Sequence, residues 1–201
     1  MELKDRIIQE ASRMITHSGI KSMRMDDIAT NLGISKRTIY EIVKDKNYLV
    51  EKSVQHIFEK EKKLDEKVAL ESKNIIEAFI TYIKLMPERK RVHGRIIDNL
   101  KKYYPDIFEK AVKDRNESLQ LYLVISIKQG IETELFIKEV NVELTVLFFM
   151  DSIFGVFSRT EADLPQGISQ QEALKYNILC FFRGISTEKG VEIVDKYLKN
   201  E

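Results

Sequence analysis

Side chains that can bond to a nucleic acid are concentrated between Lys36 and Tyr40. Lys36 and Arg37 carry positive charge, and Thr38 and Tyr40 carry hydroxyl groups. Such groups donate hydrogen bonds to phosphate oxygens, and an arginine can also read guanine through two parallel hydrogen bonds. The cluster therefore indicates contact with DNA, provided that one structural element turns these side chains toward the same side.

A short helix beginning after Ser35 would present them in this way. Ser35 is a good N-cap, because its hydroxyl can accept a backbone N–H of the first turn. Ile39 and Val43 are four residues apart and give the helix one apolar side. The polar side chains then lie on the other side, as they do in a helix that enters the major groove of DNA.

The residues before Ser35 predict a second short helix and a sharp turn. Ile28, Ala29 and Leu32 share one helical face, and Gly33 follows where a helix end favours a residue free to take positive φ. Ala29 is small enough to let two helices cross closely. The pattern predicts a helix-turn-helix within 25–46. Because two amphipathic helices around a glycine are common, spacing alone leaves a helical adaptor or structural protein without DNA binding as the alternative.

The residue types extend this pattern beyond its spacing. The matched positions are Gly19-Ile20-(x)4-Met25-Asp26-Asp27-Ile28-Ala29-(x)2-Leu32-Gly33-Ile34-Ser35-(x)2-Thr38-Ile39-Tyr40-(x)2-Val43-(x)2-Lys46-(x)2-Leu49. This segment resembles the DNA-binding domain of the TetR/AcrR family of transcriptional regulators. The resemblance covers the first quarter of the chain, and the remainder agrees with the family in length and helical character.

The resemblance implies which side chains contact DNA. Tyr40 and Lys46 match phosphate contacts of the family. Arg24 stands where the family often has Thr or Ser; it cannot cap the helix, but it can reach a phosphate electrostatically. Arg37 replaces a small residue and is a candidate to read a base, whereas Ile42 replaces a histidine whose phosphate contact is not carried over. The predicted DNA-binding residues are Arg24, Ser35, Lys36, Arg37, Thr38, Tyr40, Lys44 and Lys46.

Helical periodicity continues to the end of the chain, and strand signals are nearly absent. A first helix is predicted to end near Gly19, and a long one to begin after Asp45. Further helices are predicted at 72–86, ended by Pro87, and at 88–102, 105–130, 139–160, 169–186 and 188–199. The expected fold is all-α, with an N-terminal three-helix helix-turn-helix DNA-binding domain over 1–47 and a C-terminal helical ligand-binding and dimerisation domain over 48–201.

Two segments near the C-terminus, VNVELTVLFFMDSIFGVF and LKYNILCFFRGI, are apolar nearly all the way round a helix. Helices of this kind are buried on all sides. A single domain has room to bury one such helix centrally, so the presence of two indicates that one face of each meets a second copy of the chain. The resemblance implies the same, since the last long helices of the family form a four-helix bundle across a two-fold axis. The predicted dimer contacts are Phe149, Ile153, Val156, Ile178, Phe181 and Phe182.

The resemblance also implies a small-molecule pocket inside the second domain. Its predicted lining consists of amphipathic side chains in helical interiors, with ordinary core packing as the other possibility for each. These residues are Tyr82, Met86, His93, Tyr103, Tyr104, Tyr122, Phe149 and Phe154. An aromatic lining with few full charges suits a small apolar or aromatic effector. The chain is thus expected to be a repressor that binds a palindromic operator as a homodimer and is released by such an effector.

Other functional classes find little support in the residues. The net charge of +1 does not by itself indicate nucleic-acid binding. His17, His56 and His93 lie in different predicted helices, and a single cysteine, Cys180, offers no pair for zinc, so neither a metal nor a cofactor is expected. No glycine-rich phosphate loop or nucleophile elbow appears, and the longest apolar run, 146–150, is too short to cross a membrane. We therefore expect a non-enzymatic cytoplasmic protein, with Cys180 buried in its apolar run.

Overall fold

The computed structural model describes residues 2–199, apart from the side chains of 86–93, 161, 198 and 199. The helices are α1 (Leu3–Ser18), α2 (Met25–Leu32), α3 (Lys36–Ile42), α4 (Lys46–Glu71), α5 (Ile75–Tyr103), α6 (Pro105–Glu132), α7 (Val142–Phe157), α8 (Gln170–Ile185) and α9 (Glu188–Lys199). Two 3-10 turns, Ile20–Ser22 and Glu161–Asp163, accompany them. The predicted all-α fold is confirmed: β-pairing in the described chain amounts to one isolated bridge between Phe136 and Ser186.

Local signals account for most of the helix ends, which match the predicted ones to within a turn. Gly19, with φ 85°, ends α1. Pro105 is the first residue of α6, where its missing N–H costs nothing. The side chains of Asn141 and Ser169 accept backbone N–H groups at the starts of α7 and α8. Residues next to these helix ends specify them, and the ends can therefore be predicted from the sequence.

The prediction that a helix stops at Pro87 is wrong. Helix α5 runs through this position without a break, from Ile75 to Tyr103. A proline inside a helix removes one N–H donor and crowds the preceding turn. In a helix of 29 residues, however, the remaining hydrogen bonds and the packing of the apolar face maintain the helix on both sides.

Contacts divide the chain into two compact units. Unit 1 comprises Met1–Asp65 and Glu88–Arg115, and unit 2 comprises Glu66–Pro87 and Asn116–Glu201. Helices α4, α5 and α6 therefore contribute residues to both units. The functional boundary between residues 47 and 48 stays a prediction.

Unit 1 has its own apolar core, in which five helices each bury at least one side chain completely. Ile7 of α1, Ile28 of α2, Ile39 of α3, Leu49 of α4 and Leu100 of α5 are all fully buried. Burying one such side chain contributes about 1.5–3 kcal/mol. Because each comes from a different helix, the core fixes how α2 and α3 are held against the rest of the unit.

Unit 2 has a second core, in which a group of aromatic rings packs among aliphatic side chains. The ring centroid of Phe79 lies 4.5 Å from that of Phe182 and 5.8 Å from that of Phe149. Phe136 stacks on Phe182 at 5.7 Å. Edge-to-face and tilted contacts of this kind add to the stabilisation that burial provides.

This core contains or contacts all of the predicted dimer residues. Four of them are buried inside unit 2 itself, and two are partly buried against it: Phe149, Ile153, Ile178 and Phe182 in the first group, and Val156 and Phe181 in the second. The buried four leave little surface for a second chain, and the dimer contacts of all six residues stay predictions. Periodicity cannot tell which side of an all-apolar helix its own chain covers.

The two C-terminal apolar helices each leave one face uncovered by their own chain, in line with the expectation that a second copy meets that face, and the contact with a second copy stays a prediction. Helix α7 exposes Leu144, Leu147 and Phe148, and α8 exposes Tyr176. Cys180, one turn after Tyr176, is exposed rather than buried. Each helix thus has one face in the core and one face outside it.

Candidate nucleic-acid interface

The helix-turn-helix of unit 1 forms as predicted. Gly33 takes the left-handed conformation, φ 66° and ψ 33°, and ends α2. The backbone N–H of Ile34 then donates to the carbonyl of Ala29 at 3.0 Å, which closes the turn. Ser35 caps α3, its Oγ accepting the backbone N–H of Thr38 at 3.0 Å. The glycine and the cap together set where α3 begins and which side it presents.

The outer face of α3 carries the predicted cations and phenol. Ile39 is fully buried behind it. The side chains of Lys36 and Arg37 are 49% and 89% exposed, and Tyr40 is 45% exposed. Tyr40 follows Lys36 by four residues and Arg37 by three, and both spacings make side chains neighbours on a helix. This face can therefore donate hydrogen bonds to phosphates and base edges.

Each α3 cation is paired with a carboxylate. Lys36 Nζ donates to Asp26 Oδ2 at 3.0 Å, and Arg37 Nε donates to Glu41 Oε1 at 2.8 Å. The hydrogen bond that Lys36 donates to Asp26, together with the negative charge of that carboxylate, raises the pKa of Lys36. Sequence reasoning missed both carboxylates. The four-residue spacing of Arg37 and Glu41 was a readable signal; the pairing of Lys36 with Asp26 depends on how α2 and α3 cross.

The other predicted DNA-binding residues also belong to unit 1. Arg24 precedes α2 in an extended conformation and makes no side-chain cap, as expected. The hydroxyl of Thr38 is 2.8 Å from Ser35 Oγ, so both hydroxyls are engaged in the α3 cap. Lys44 is exposed, and Lys46 is the first residue of α4. The structure thus gathers the predicted set within one unit, while their DNA contacts stay predictions.

The predicted ligand-lining residues are divided between the two units. Tyr82, Tyr122 and Phe149 gather in unit 2 around Phe79, and the hydroxyls of the two tyrosines are 3.1 Å apart. Their rings pack on one another as core side chains do. Phe154 is exposed on α7, so its predicted place in a helical interior is wrong.

Two further candidates, Tyr103 and Tyr104, belong to unit 1. They border an open cleft of about 370 Å³ together with Lys44, Asp45 and Tyr48. Burial raises the pKa of the Tyr104 hydroxyl. The side chains of the last two candidates, Met86 and His93, lie outside the described residues.

Comparison with known proteins identifies relatives along nearly the whole chain. No protein-family model matches it. It is 26% identical over 189 residues to YvaF of Bacillus subtilis, an uncharacterized HTH-type transcriptional regulator, covering 93% of this chain and 97% of that protein. A TetR-family regulator from Cytophaga hutchinsonii has a TM-score of 0.69 at 14% identity, covering 92% of this chain and 96% of that one. A transcriptional regulator from Saccharomonospora viridis, solved with choline, has a TM-score of 0.65 at 16% identity, covering 92% and 98%.

These comparisons confirm the resemblance to the TetR family that residues 19–49 indicate. The three relatives are transcriptional regulators, a non-enzymatic class of protein. None of the helices in the described chain combines the length and apolar character needed to cross a membrane. Among the same residues, no group of three or more His, Cys, Asp or Glu side chains is arranged to hold a metal ion.

Proposed function

Because the chain has the fold of TetR-family transcriptional regulators, we propose that it is a DNA-binding regulator whose α3 enters the major groove. The face of α3 carries this proposal: Lys36, Arg37 and Tyr40 are exposed on one side, and Ile39 is buried on the other. A helical adaptor, the alternative that spacing left open, has no need to gather these side chains on one exposed face. Such a regulator would act in the cytoplasm.

The proposal is tested by titrating the purified chain against the DNA upstream of its own gene and against a shuffled duplex of the same composition. We expect clear preference for the upstream DNA, because base contacts discriminate between sequences and phosphate contacts do not. Equal affinity for both duplexes, or no binding to either, would contradict the proposal and favour the adaptor.

The proposed regulator is a homodimer that joins through the exposed apolar faces of α7 and α8. Leu144, Leu147 and Phe148 form a stripe on α7, and Tyr176 is 68% exposed on α8. A contiguous exposed apolar patch marks an interaction surface, and a second copy can cover it with the same patch around a two-fold axis. Two α3 helices about 34–36 Å apart would then read a palindromic operator.

Release by a small effector completes the proposal. The Saccharomonospora viridis regulator was solved with choline, which supports ligand binding by this fold. In the present chain, the cluster of Phe79, Tyr82, Tyr122 and Phe149 is the candidate region, with two hydroxyls as its polar groups. A ligand changes the affinity for DNA only to the extent that it binds the DNA-bound and the DNA-free states of the protein with different affinity. Screening small aromatic and quaternary ammonium compounds against the DNA complex tests this step; failure of all to release DNA would argue against it.

Arg37→Ala is expected to weaken operator binding by about 1–3 kcal/mol and to relax discrimination at one base pair. The loss follows if the guanidinium reads a base edge from the first turn of α3. The measurement is a set of affinities for operators carrying single base-pair changes. A uniform loss over all of them would show that Arg37 touches phosphate alone.

Lys46→Ala is expected to weaken binding to all DNA sequences by the same factor. Lys46 begins α4, and a cation at a helix N-terminus suits a phosphate. Losing one phosphate contact lowers the slope of log affinity against log salt by about one unit. Lys138→Ala, which removes an exposed lysine of unit 2, is the matched control and should leave the slope unchanged. An unaltered slope for Lys46→Ala would rule out the contact.

A further inference from the structure

The proposed DNA-reading face of α3 includes a carboxylate that folding does not require. Glu41 is 59% exposed, and its Oε1 accepts a hydrogen bond from Arg37 Nε at 2.8 Å. Exposed ion pairs of this kind contribute little to stability, and an arginine four residues before a glutamate is the less favourable order on a helix. The position of Glu41 is therefore better explained by what it does to Arg37 and to approaching DNA.

The pair restricts how Arg37 can present its donors. Glu41 engages Nε, and neither Nη group of Arg37 makes a hydrogen bond to the described part of the chain. Two parallel N–H donors match the O6 and N7 acceptors of guanine. The Arg37 side chain is 89% exposed, so few other contacts limit its rotamers. The ion pair with Glu41 favours one rotamer and so reduces the conformational entropy that the side chain loses when it binds DNA. Glu41 is thus placed to direct Arg37 at a base edge.

The same carboxylate opposes contacts that carry no sequence information. Lys36 is paired with Asp26, and Arg37 with Glu41, so both α3 cations are locally neutralised. The chain as a whole carries only +1. A duplex of the wrong sequence offers mainly phosphates, which repel Glu41. The right sequence also offers Arg37 an acceptor pair on a base, which offsets the repulsion. The cost therefore falls mostly on wrong sequences.

We infer that Glu41 is a specificity-determining residue, which positions Arg37 for one base pair and weakens binding to all other sequences. This inference rests on the proposed DNA-binding function. Glu41 forms an ion pair with another residue of the same helix, and its own charge has the same sign as that of DNA. The inference gives this residue a role on the recognition face.

The test compares the wild-type chain with Glu41→Gln, which keeps the side-chain length and an accepting oxygen but removes the charge. Binding sites are first selected by the wild type from randomised duplexes, and both proteins are then titrated against the selected site and a shuffled duplex. We expect Glu41→Gln to bind the shuffled duplex about three- to tenfold more tightly and the selected site almost unchanged. The ratio of the two affinities should fall by the same factor, while the midpoint of thermal unfolding stays within about 1 °C.

Two controls separate this role from a general effect of charge. Glu139→Gln removes the same charge from an exposed ion pair with Lys138, whose atoms are 3.7 Å apart in unit 2, and should not change the ratio. In an Arg37→Ala background, Glu41→Gln should no longer affect discrimination at the base pair that Arg37 reads, because the two residues act together. A shift from Glu139→Gln as large as that from Glu41→Gln would overturn the inference.

The outcomes also distinguish this inference from the function on which it rests. If the wild type selects no sequence and binds all duplexes equally, the proposed function fails. If the wild type selects a site and Glu41→Gln keeps the full affinity ratio, DNA reading stands and the role of Glu41 is refuted. If Glu41→Gln alters discrimination equally with and without Arg37, the carboxylate does not act by positioning that side chain.

Discussion

Replacing Leu147 and Phe148 together by aspartate is expected to yield a folded monomer with at least about 100-fold weaker operator binding. The two side chains are 51% and 61% exposed on α7, so the new charges do not enter the unit 2 core. In the proposed dimer they would be buried at the seam, next to the like charges of the second copy, which costs several kcal/mol. A monomer has one α3 helix and contacts only one half of the palindromic operator, so the binding energies of the two halves no longer add.

Light scattering and sedimentation would report the oligomeric state, and circular dichroism the fold. The matched control is Leu121→Asp with Ile125→Asp, which places the same charges on side chains of α6 that are 62% and 56% exposed. That variant should stay dimeric and keep its DNA affinity. Dissociation of the α6 variant but not of the α7 variant would locate the seam elsewhere, and a monomer with full affinity would refute the requirement for two linked recognition helices.

The adjacent residues Phe148 and Phe149 show where sequence reasoning fails. One is 61% exposed and the other is 4% exposed, although both lie in the same apolar run. In a helix with apolar side chains on every side, periodicity does not identify the buried face, because that depends on which distant helices pack against it. The ring contacts of Phe149 with Phe79 and Phe182 join residues far apart in the chain. Phe149→Asp would therefore unfold unit 2 rather than test the seam.

The helix-turn-helix was predictable because its determinants are local. Gly33 ends α2 and Ser35 caps α3, and both act on backbone within a few residues of themselves. The buried side of α3 follows from the spacing of Ile39 and Val43. In contrast, the continuation of α5 through Pro87 depends on packing along its length, which no local signal records.

Gly190→Ala is expected to lower the free energy of unfolding by about 3 kcal/mol, at the upper end of the usual range for overpacking. A Cβ at Gly190 would lie 2.3 Å from the carbonyl oxygen of Leu135 and 2.8 Å from Ser186 Oγ. Both atoms are held in place. The Leu135 carbonyl accepts the backbone N–H of Thr187 at 3.0 Å, and Ser186 Oγ donates to the carbonyl of Phe182 at 2.7 Å. Helix α9 would have to move outward and expose part of the core that it covers, including Val194.

Thermal unfolding measures this effect, and a loss of that size should lower the midpoint by roughly 6–12 °C. Gly94→Ala in α5 is the matched control, since a methyl group there would meet no described atom within 4 Å. Alanine is the better helix former, so this variant should gain about 0.5–1 kcal/mol. Because Gly190 belongs to unit 2 and α3 to unit 1, Gly190→Ala should retain the DNA specificity of the wild type at temperatures where it is folded. An unchanged melting midpoint would mean that α9 accommodates a side chain at Gly190 without displacement. The close packing of the first turn of α9 would then contribute little to stability.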